Sequence, residues 1–233
     1  MQSDHSTNRD SQLLKNIPLF AELDDDDLQR IADLMVTKRY KKNNLIIFED
    51  DLGSNLFFIK SGRVKISGIS HEGGEAIFSI LGGGDFFGEL SLLDGLPRSA
   101  TVTSIEDVSL WVLHRGDFLD MIQRYPQISI YLLKELAKRI RRSDMQIKSL
   151  SLKDARGRVA GTLIRLAEDI GVVRGGRVVI TELPLQRDLA NIAGTSRETI
   201  SRVIKKFEED GQISKEENIL IFSDFNAFKK MFA

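Results

Sequence analysis

The pattern of apolar and polar positions divides the chain into segments with different periodicity. Between residues 13 and 35, apolar residues fall at helical spacing, which predicts short helices. From Arg39 to about Leu113, short apolar and β-branched runs alternate with glycines. The runs are Leu45–Phe48, Leu56–Ile59, Val64–Ile66, Ala76–Leu81 and Val108–Leu113. Many short strands separated by turns predict an antiparallel roll or barrel, with Gly73-Gly74 at a hairpin tip.

A long helix is predicted after the roll, from about Arg115 to about Leu150, with a break or bend near Pro126. Its seam positions recur at alternating intervals of three and four residues. They are Leu133, Leu136, Ile140, Ser143, Ile147 and Leu150. This spacing is typical of a two-stranded coiled coil. Because the other faces of the helix are basic, the narrow seam favours a parallel homodimer over packing on its own domain.

The remaining chain alternates helices with short strands. A helix is predicted over Asp154–Ala167, ended by Gly171 in a left-handed cap, and the hinge between domains is expected at Ser149–Asp154. A helix over Gln186–Ala193, a tight turn at Gly194 and a second helix opening at Ser196-Arg197 indicate a helix-turn-helix. The other predicted elements are a strand over Arg177–Thr181, wing strands over Gln212–Ser214 and Ile219–Phe222, and a terminal helix within Asp224–Phe232.

The second helix of this motif carries an exposed face suited to nucleic acid. Thr195 and Glu198 have the spacing of a capping box, which would fix the start of the helix. A helix fits the major groove of DNA, and arginine paired with guanine is the commonest specific base contact. An ordinary surface helix is the alternative, but arginine in the first turn opposes the preference of the helix dipole for acids. The candidate DNA contacts are Gln186, Arg187, Thr195, Ser196, Arg197, Glu198, Thr199, Ser201, Arg202 and Lys205.

One glycine-punctuated segment of the roll places an acid and a base nine residues apart. Phe87-Gly88-Glu89-Leu90-Ser91-Leu92 is followed by Pro97-Arg98-Ser99-Ala100-Thr101. A buried arginine needs a partner. That partner is either Glu89, in a turn between two strands, or an anion from outside. Arginine suits the second role because its planar fork gives two charge-assisted hydrogen bonds to one phosphate.

This segment resembles the phosphate-binding cassette of cyclic-nucleotide-binding domains. The resemblance implies that Glu89 accepts a hydrogen bond from the ribose 2′-hydroxyl. It also implies that Arg98 pairs with the cyclic phosphate, helped by the Ser99 hydroxyl and by backbone N–H groups. The candidate effector contacts in the cassette are Gly88, Glu89, Leu90, Arg98, Ser99 and Ala100, and alignment with the family described next adds Ser143 and Asp144.

The order of the parts resembles the catabolite-activator and fumarate–nitrate-regulator family of bacterial transcription factors, closest to its cyclic-AMP receptor branch. The resemblance implies an α+β fold with a disordered tail (1–12), a cyclic-nucleotide-binding β-roll (13–114), a dimerisation helix (115–150) and a winged helix-turn-helix (151–233). It further implies that Arg197, Glu198 and Arg202 read a TGTGA-like half-site of a palindrome. The implied partners are double-stranded DNA, a second copy of the chain, a cyclic nucleotide and RNA polymerase.

The identity of the effector depends on positions where the chain departs from this branch. Ser143 and Asp144 align with base-contacting positions that usually hold Thr-Ser. Ser143 can accept from the adenine N6 amine, whereas Asp144 can accept from that amine or from N1–H and N2–H of guanine. Cyclic AMP is expected, while cyclic GMP, cyclic di-GMP and effector-independent action stay open. Leu185, where Ser or Thr would cap the helix, is a second departure.

Composition removes several classes of function. The chain has no cysteine, which excludes disulfides, thiolate metal sites and cysteine-ligated iron–sulfur clusters. His5, His71 and His114 are expected to be ordinary residues rather than haem ligands, so no metal is expected. No general acid–base pair or nucleophile constellation is evident, which predicts a protein that is not an enzyme. A nucleotide-binding module that regulates a partner protein remains the rival from another class.

Charge and hydropathy add weaker constraints. The net charge is −1, but residues from Ser151 onward carry 14 basic and 12 acidic side chains. Between Leu185 and Phe207 there are five basic and two acidic residues, which permits a nucleic-acid partner. The segment Met1–Asp10 is polar and lacks the apolar core of a signal peptide. No apolar run is long enough to span a bilayer, so a cytoplasmic protein is expected.

Overall fold

The computed structural model of the protein describes residues 12–232, which form two compact units divided between Ile140 and Arg141. The predicted disordered tail and His5 lie outside the described residues, apart from the last residue of the tail. The first unit begins with a 3₁₀ turn at Pro18–Phe20 and helix α1 (Asp25–Asp33). Asp24 caps α1 by accepting a hydrogen bond from the backbone N–H of Asp27 at 2.8 Å.

A β-roll of two antiparallel sheets follows α1. Its strands are β1 (Val36–Tyr40), β2 (Leu45–Ile47), β3 (Asn55–Ser61), β4 (Val64–Ile69), β5 (Glu75–Leu81), β6 (Phe86–Phe87), β7 (Thr101–Ser104) and β8 (Val108–His114). One sheet has the order β1-β8-β3-β6 and the other β2-β7-β4-β5. The five predicted strands are confirmed with shifts of one to three residues at some ends. The predicted hairpin is β4–β5, with Gly73 at φ +80°.

The cassette folds differently from a plain turn between strands. A short helix, α2 (Leu90–Asp94), lies in the segment between β6 and β7 and ends at Gly95 in the left-handed conformation. The apolar core of the roll lies between the sheets, where Ile59, Val64 and Leu110 are fully buried. The cassette therefore lies against a rigid, close-packed scaffold.

The long helical region is interrupted as predicted. Helix α3 (Arg115–Arg124) ends before Pro126, which begins helix α4 (Pro126–Leu152) at the position where proline costs no hydrogen bond. Ile128 and Leu132 of α4 are buried in the core of the first unit. The start of α4 is therefore part of the roll domain.

The predicted seam residues of α4 differ in how far they are exposed. Leu133, Ile140 and Ile147 are 62–65% exposed, as a seam without its partner helix would be. Leu136 instead packs partly against the core of its own roll. Leu150 lies beside Gly194, where an added Cβ would come within 2.6 Å of its Cδ2 atom. Leu150 is nevertheless 47% exposed and Leu136 is only partly buried, so a seam that includes all six positions stays a prediction.

The second unit is a helical domain with a small antiparallel sheet. Its elements after α4 are α5 (Ala155–Ile170), β9 (Val172–Arg174), β10 (Arg177–Ile180), α6 (Gln186–Ala193), α7 (Arg197–Glu209), β11 (Ile213–Glu216), β12 (Ile219–Phe222) and α8 (Phe225–Phe232). The sheet has the order β11-β12-β10-β9. The predicted helix-turn-helix and the β11–β12 wing are confirmed.

One local prediction in this unit is wrong, and another, the hinge, stays a prediction. The hinge expected at Ser149–Asp154 is mostly helical, because α4 continues to Leu152 and Asp154 already caps α5 through the Gly157 N–H at 2.7 Å. Only Lys153 and Asp154 separate the helices. Gly171 follows α5, but its φ of −72° and ψ of 146° are extended rather than left-handed. The chain leaves the helix directly into β9, a strand that the sequence did not reveal.

Candidate effector and DNA sites

Arg98 is a buried cation surrounded by neutral oxygens. Its side chain lies in the roll, and the residue is 6% exposed. Nη1 donates to the carbonyl oxygen of Gly88 at 2.6 Å and to Oγ of Ser91 at 2.8 Å, and Nη2 donates to the carbonyl oxygen of Asn55 at 2.8 Å. Three of the five N–H donors of the guanidinium are therefore used by the protein.

The other donors of Arg98 are Nε–H and one hydrogen on Nη2. In the described part of the chain, Nε has no protein acceptor. Nε and Nη2 share one edge of the guanidinium, the edge that can hold two oxygens of a phosphate. Gly53 keeps this side open, since an added Cβ there would lie 2.2 Å from Nε and 2.3 Å from Cζ. The geometry suits a bidentate oxyanion.

Glu89 is not the hydrogen-bonding partner of Arg98. Burial lowers the pKa of the Arg98 guanidinium from its ordinary value, and the nearby Glu89 carboxylate only partly offsets this. The interpretation of the cassette as a turn with an internal Glu89–Arg98 pair is therefore wrong. A buried cation that no described carboxylate contacts is costly. An anionic ligand would remove that cost.

Glu89 is paired instead with Arg139 of helix α4. Its Oε1 accepts from Nη1 of Arg139 at 2.8 Å, while Nη2 of Arg139 donates to the carbonyl oxygen of Phe86 at 2.6 Å. The Arg139 guanidinium also lies 4.7 Å from the centre of the Phe86 ring. Glu89 is 2% exposed. From the sequence, Arg139 was one of several cations on the basic faces of the long helix. Its position one helical turn before Ser143 was the signal that could have identified it.

The other cassette candidates differ in exposure. Gly88 has φ +86°, and an added Cβ would lie 2.7 Å from Nη1 of Arg98. Leu90 and Ser99 are exposed, and Ala100 is half-buried. Ser91, which sequence reasoning missed, is buried and anchors Arg98. Sequence reasoning had no local signal for it, because the helix α2 that carries Ser91 was not predicted.

Ser143 and Asp144 lie on the part of α4 that belongs to the second unit. Both residues are exposed. Neither makes a hydrogen bond or ion pair within residues 12–232 through its side chain. They are therefore free to contact a ligand or a partner helix.

Helix α7 of the helix-turn-helix begins with a well-defined cap. Oγ of Ser196 accepts from the Thr199 backbone N–H at 3.2 Å. Ser196, not Thr195, is therefore the N-cap, and the capping-box assignment to Thr195 is wrong. Hydrogen bonds from its own backbone N–H and from the Ser196 hydroxyl lower the pKa of the exposed Glu198 carboxyl. Glu198 supports the cap, and its carboxylate would have to turn outward to accept from a base.

The predicted DNA-facing side chains are at the surface of α7. Its apolar face, with Ile200, Val203, Ile204 and Phe207, is buried in the core of the second unit. The opposite face exposes Arg197, Glu198, Ser201, Arg202 and Lys205. On α6, Arg187 is exposed and Gln186 is half-buried, and Leu185 makes no side-chain cap. The amphipathic division predicted for α7 is confirmed.

The turn between α6 and α7 is fixed by two residues. Gly194 adopts the left-handed conformation (φ 59°, ψ 47°) that the tight turn requires. The guanidinium of Arg158 donates to the carbonyl oxygens of Ala193 at 3.0 Å, Gly194 at 3.2 Å and Lys153 at 3.1 Å. Arg158 thus ties the turn to the end of α4. Sequence reasoning missed it, because nothing local marks a side chain whose partners are carbonyls.

The histidines have local roles or surface positions. Nδ1 of His114 accepts from the Gly116 N–H at 3.4 Å and caps α3, and His71 is exposed in the β4–β5 turn. Among the described residues, no group of three or more His, Cys, Asp or Glu side chains is placed to hold a metal ion. Within the same residues, no helix is long and apolar enough to cross a membrane.

Two family models match two separate parts of the chain. Residues 37–125 match the family model described as a cyclic nucleotide-binding domain. Residues 157–231 match the Crp-like helix-turn-helix domain. The first match contains the whole cassette, and the second contains the helix-turn-helix and the wing.

Two curated relatives cover most of the chain. The Cyclic AMP receptor protein of Thermus thermophilus is 35% identical over 200 residues, which are 86% of this chain and 89% of that protein. A CRP-like cAMP-activated global transcriptional regulator of Mycobacterium tuberculosis is 34% identical over 185 residues, or 79% and 83% of the two chains. The names of both relatives specify cyclic AMP as the effector.

A solved structure shows the same fold with a different effector. The c-di-GMP Responsive Global Regulator CLP of Xanthomonas campestris superimposes with a TM-score of 0.73 over 86% of this chain and the whole of that chain. Its sequence identity is 21%, so the likeness concerns the fold alone.

Proposed function

Because the chain belongs to the catabolite-activator and fumarate–nitrate-regulator family of bacterial transcription factors, we propose that it is a homodimeric DNA-binding regulator controlled by cyclic AMP. Its family supplies the cyclic-nucleotide-binding and helix-turn-helix domains. The effector, the dimer and the DNA sequence are the proposed parts. A regulator of this kind acts on chromosomal DNA in the bacterial cytoplasm, with RNA polymerase as a further partner, and catalyses no reaction.

The observation that carries the proposal is the buried guanidinium of Arg98. It is held by three neutral oxygens, and its Nε has no acceptor in residues 12–232. A cyclic phosphate would supply two oxygens and one negative charge to this edge. The Ser99 hydroxyl and the backbone of Ala100, which follow Arg98 in the sequence, would help to hold the phosphate. Gly88 and Leu90, on either side of Glu89, complete the proposed cassette. The Glu89 carboxylate would accept from the ribose 2′-hydroxyl through an oxygen that Arg139 leaves available.

The base is assigned to Ser143 and Asp144 by the family resemblance. Ser143 Oγ would accept from the adenine N6 amine, which supports cyclic AMP, and both close curated relatives are described with that effector. Asp144 favours a second candidate. Its carboxylate matches the paired N1–H and N2–H donors of guanine, so cyclic GMP or cyclic di-GMP is the alternative.

DNA recognition is assigned to the exposed face of α7. Arg197, Glu198 and Arg202 would contact bases of a TGTGA-like half-site in the major groove. Near the helix N-terminus, Thr195, Ser196 and Thr199 would contact backbone phosphate. Gln186, Arg187, Ser201 and Lys205 complete the proposed interface.

Control by the effector is proposed as a population shift between two dimer forms. The seam of α4 would pair with that of a second chain, and an effector held by the cassette would favour one arrangement of the paired helices. To change the protein from mostly inactive to mostly active, the effector must favour the active form by roughly 5 kcal/mol. Lys153 and Asp154 would then be the points about which the DNA-binding domains reorient.

One titration tests this function. DNA affinity for a TGTGA palindrome is measured at fixed salt with no nucleotide, cyclic AMP, cyclic GMP or cyclic di-GMP, in the wild type and in Arg197→Ala. We expect cyclic AMP to increase affinity at least tenfold and Arg197→Ala to abolish the preference over a scrambled duplex. Tight binding without nucleotide, and no calorimetric heat with any of them, would indicate an effector-independent factor instead.

The guanine alternative has its own test. Asp144→Ser restores a hydroxyl at the position where the family branch has serine. If Asp144 selects guanine, the wild type prefers cyclic GMP or cyclic di-GMP and this variant shifts the preference toward cyclic AMP. If the preference is for cyclic AMP in both, Asp144 does not decide the base.

A further inference from the structure

A groove in the second unit is lined by cations from two helices. It has a volume of about 350 Å³ and is lined by Arg156, Arg202, Val203, Lys205, Lys206 and Glu209. Five of these residues lie on one flank of α7 at helical spacing, and Arg156 is contributed by the first turn of α5. The groove is therefore built between the candidate recognition helix and an element outside the helix-turn-helix.

The charges of the groove are only partly compensated within the protein. Nη2 of Arg156 lies 3.0 Å from Oδ2 of Asp210, and Nζ of Lys206 lies 2.9 Å from Oδ1 of the same carboxylate. Lys206 is also 3.8 Å from Glu209. Arg202 and Lys205 make no ion pair among the described residues. Four cations thus face two carboxylates.

Arg156 is held in place rather than free to turn away. Its guanidinium lies 5.3 Å from the centre of the Phe207 ring and 5.8 Å from that of Phe232. Its Nε is buried and has no hydrogen-bond partner among residues 12–232. The side chain as a whole is 42% exposed, so an anion can reach the guanidinium, and an arginine fixed by stacking loses little conformational entropy when it binds one.

We propose that this groove binds a phosphate of the DNA backbone beside the recognition helix. The inference rests on the proposed DNA-binding function. An α-helix with its side chains is about 10–12 Å across, and the major groove is about 12 Å wide. A helix that enters the groove therefore brings its flanks next to the phosphates. Arg156 and Lys206 become phosphate contacts that lie outside the interface predicted from the helix-turn-helix motif.

A phosphate contact and a purely structural ion network predict different measurements. Each phosphate that a protein neutralises contributes about 0.9 to the slope of log affinity against log salt concentration. A structural role of the Arg156–Asp210 pair would alter stability and leave that slope unchanged. A base-reading role would weaken the preference for one sequence, whereas a phosphate contact weakens all sequences alike.

The experiment measures the affinity of the full-length protein for a TGTGA palindrome and for a scrambled duplex over a range of salt. The variants are Arg156→Gln, Arg156→Lys and Lys206→Gln. Lys229→Gln is the matched control, since Lys229 is also an ion-paired cation of this unit, on Glu168 of α5. Thermal unfolding is recorded for each protein.

We expect Arg156→Gln and Lys206→Gln each to reduce the slope by about 2 on both duplexes, because the proposed dimer has two such grooves. Arg156→Lys and Lys229→Gln should keep the wild-type slope. A palindrome with one neutral methylphosphonate at the contacted position should weaken wild-type binding and leave Arg156→Gln unaffected. Unchanged slopes in both glutamine variants would overturn the proposal, and so would a loss confined to the palindrome. Failure of the wild type to bind any DNA would instead overturn the proposed function.

Discussion

Nη1 of Arg139 on helix α4 lies 2.8 Å from Oε1 of Glu89 in the cassette. The acid that the proposed effector would use for its ribose is therefore already joined to the long helix. Because α4 also carries the exposed seam, one carboxylate connects the effector site with the element proposed to dimerise. A change in the hydrogen bonding of Glu89 would therefore alter a direct contact with α4.

Removing Arg139 should destabilise the first unit. Arg139→Gln leaves the almost fully buried Glu89 carboxylate without its cation, and losing one partner of a buried pair costs about 3–5 kcal/mol. The Arg139 side chain is 32% exposed, so we expect about 1–3 kcal/mol after screening by solvent. Urea denaturation followed by tryptophan fluorescence measures it, since the one tryptophan of the chain, Trp111, lies in β8.

Lys138→Gln is the control for this measurement. Lys138 precedes Arg139 on the same helix and is paired with Glu135 at the surface, where it is 64% exposed. Exposed pairs of this kind contribute about 0–1 kcal/mol. Equal effects of the two substitutions would mean that the Glu89 contact is an ordinary surface pair.

Replacing Arg98 by lysine should remove effector binding while keeping the charge. A lysine ammonium cannot form the fork that reaches Gly88, Ser91 and Asn55 while offering an edge to phosphate. Two charge-assisted hydrogen bonds are worth about 1.5–3 kcal/mol each, so cyclic-nucleotide affinity should fall at least about 100-fold. Isothermal titration calorimetry measures the loss.

Arg63→Lys provides the comparison for Arg98→Lys. Arg63 of the same roll makes a forked pair with Glu106, with Nε and Nη2 at 3.1 and 3.3 Å from the carboxylate oxygens. Its replacement removes a similar internal fork far from the cassette in sequence. We expect nucleotide affinity to stay within about twofold of wild type, because Arg63 is not among the residues proposed to contact the nucleotide. Parallel losses in both variants would point to general damage to the roll.

Gly88→Ala should impair the cassette through sterics as well as backbone strain. The φ of +86° costs an alanine about 1–3 kcal/mol, and its Cβ would lie 2.7 Å from Nη1 of Arg98 and 3.1 Å from the Asn55 carbonyl oxygen. Gly73→Ala is matched to it, with φ +80° and nothing within 4 Å of the added Cβ. Both variants should lose stability in thermal unfolding, Gly88→Ala more than Gly73→Ala because of its added clashes, and only Gly88→Ala should lose nucleotide affinity. Retained affinity in Gly88→Ala would show that the Arg98 anchor tolerates displacement.

The start of the recognition helix can be tested with two neighbouring alanines. Ser196→Ala removes the oxygen that accepts the Thr199 N–H, and loss of an N-cap costs about 1 kcal/mol. Thr195→Ala removes a hydroxyl that caps nothing and should change stability by less than about 0.5 kcal/mol. Chemical denaturation monitored by circular dichroism separates the two. The reverse order of effects would restore the capping box at Thr195–Glu198.

The sequence predicted local structure well where each residue depends on its neighbours in the chain. Gln186–Ala193, Gly194 and the start of α7 followed from apolar spacing, a left-handed glycine and a short turn. Pro126 likewise marked the start of α4 correctly. These features are determined within one or two helical turns, so a linear pattern is sufficient to reveal them.

The parts that the sequence did not reveal depend on contacts between distant segments. Arg139 meets Glu89 across 50 residues, and Arg158 meets the carbonyls of Ala193 and Gly194 across about 35. Strand β9 exists because β10 pairs with it, although its own three residues are exposed. The candidate residues of the cassette were identified by their resemblance to a family, but which acid pairs with which base required the fold.

The dimer proposal is tested most sharply on the part of the seam that its own chain leaves uncovered. Ile140 and Met145 lie on the same helix and are 62% and 61% exposed, but only Ile140 is at a seam position. Burying an isoleucine in a partner helix contributes about 1.5–3 kcal/mol per chain, and an aspartate there adds an unpaired charge that opposes association. Ile140→Asp should therefore yield monomers at concentrations where Met145→Asp and wild type are dimers. Sedimentation equilibrium measures this, and DNA binding should fall with it, because a monomer contacts one half-site of the palindrome. If Ile140→Asp sediments as the wild type does, the seam is not the dimer interface and the exposed face of α4 has another partner.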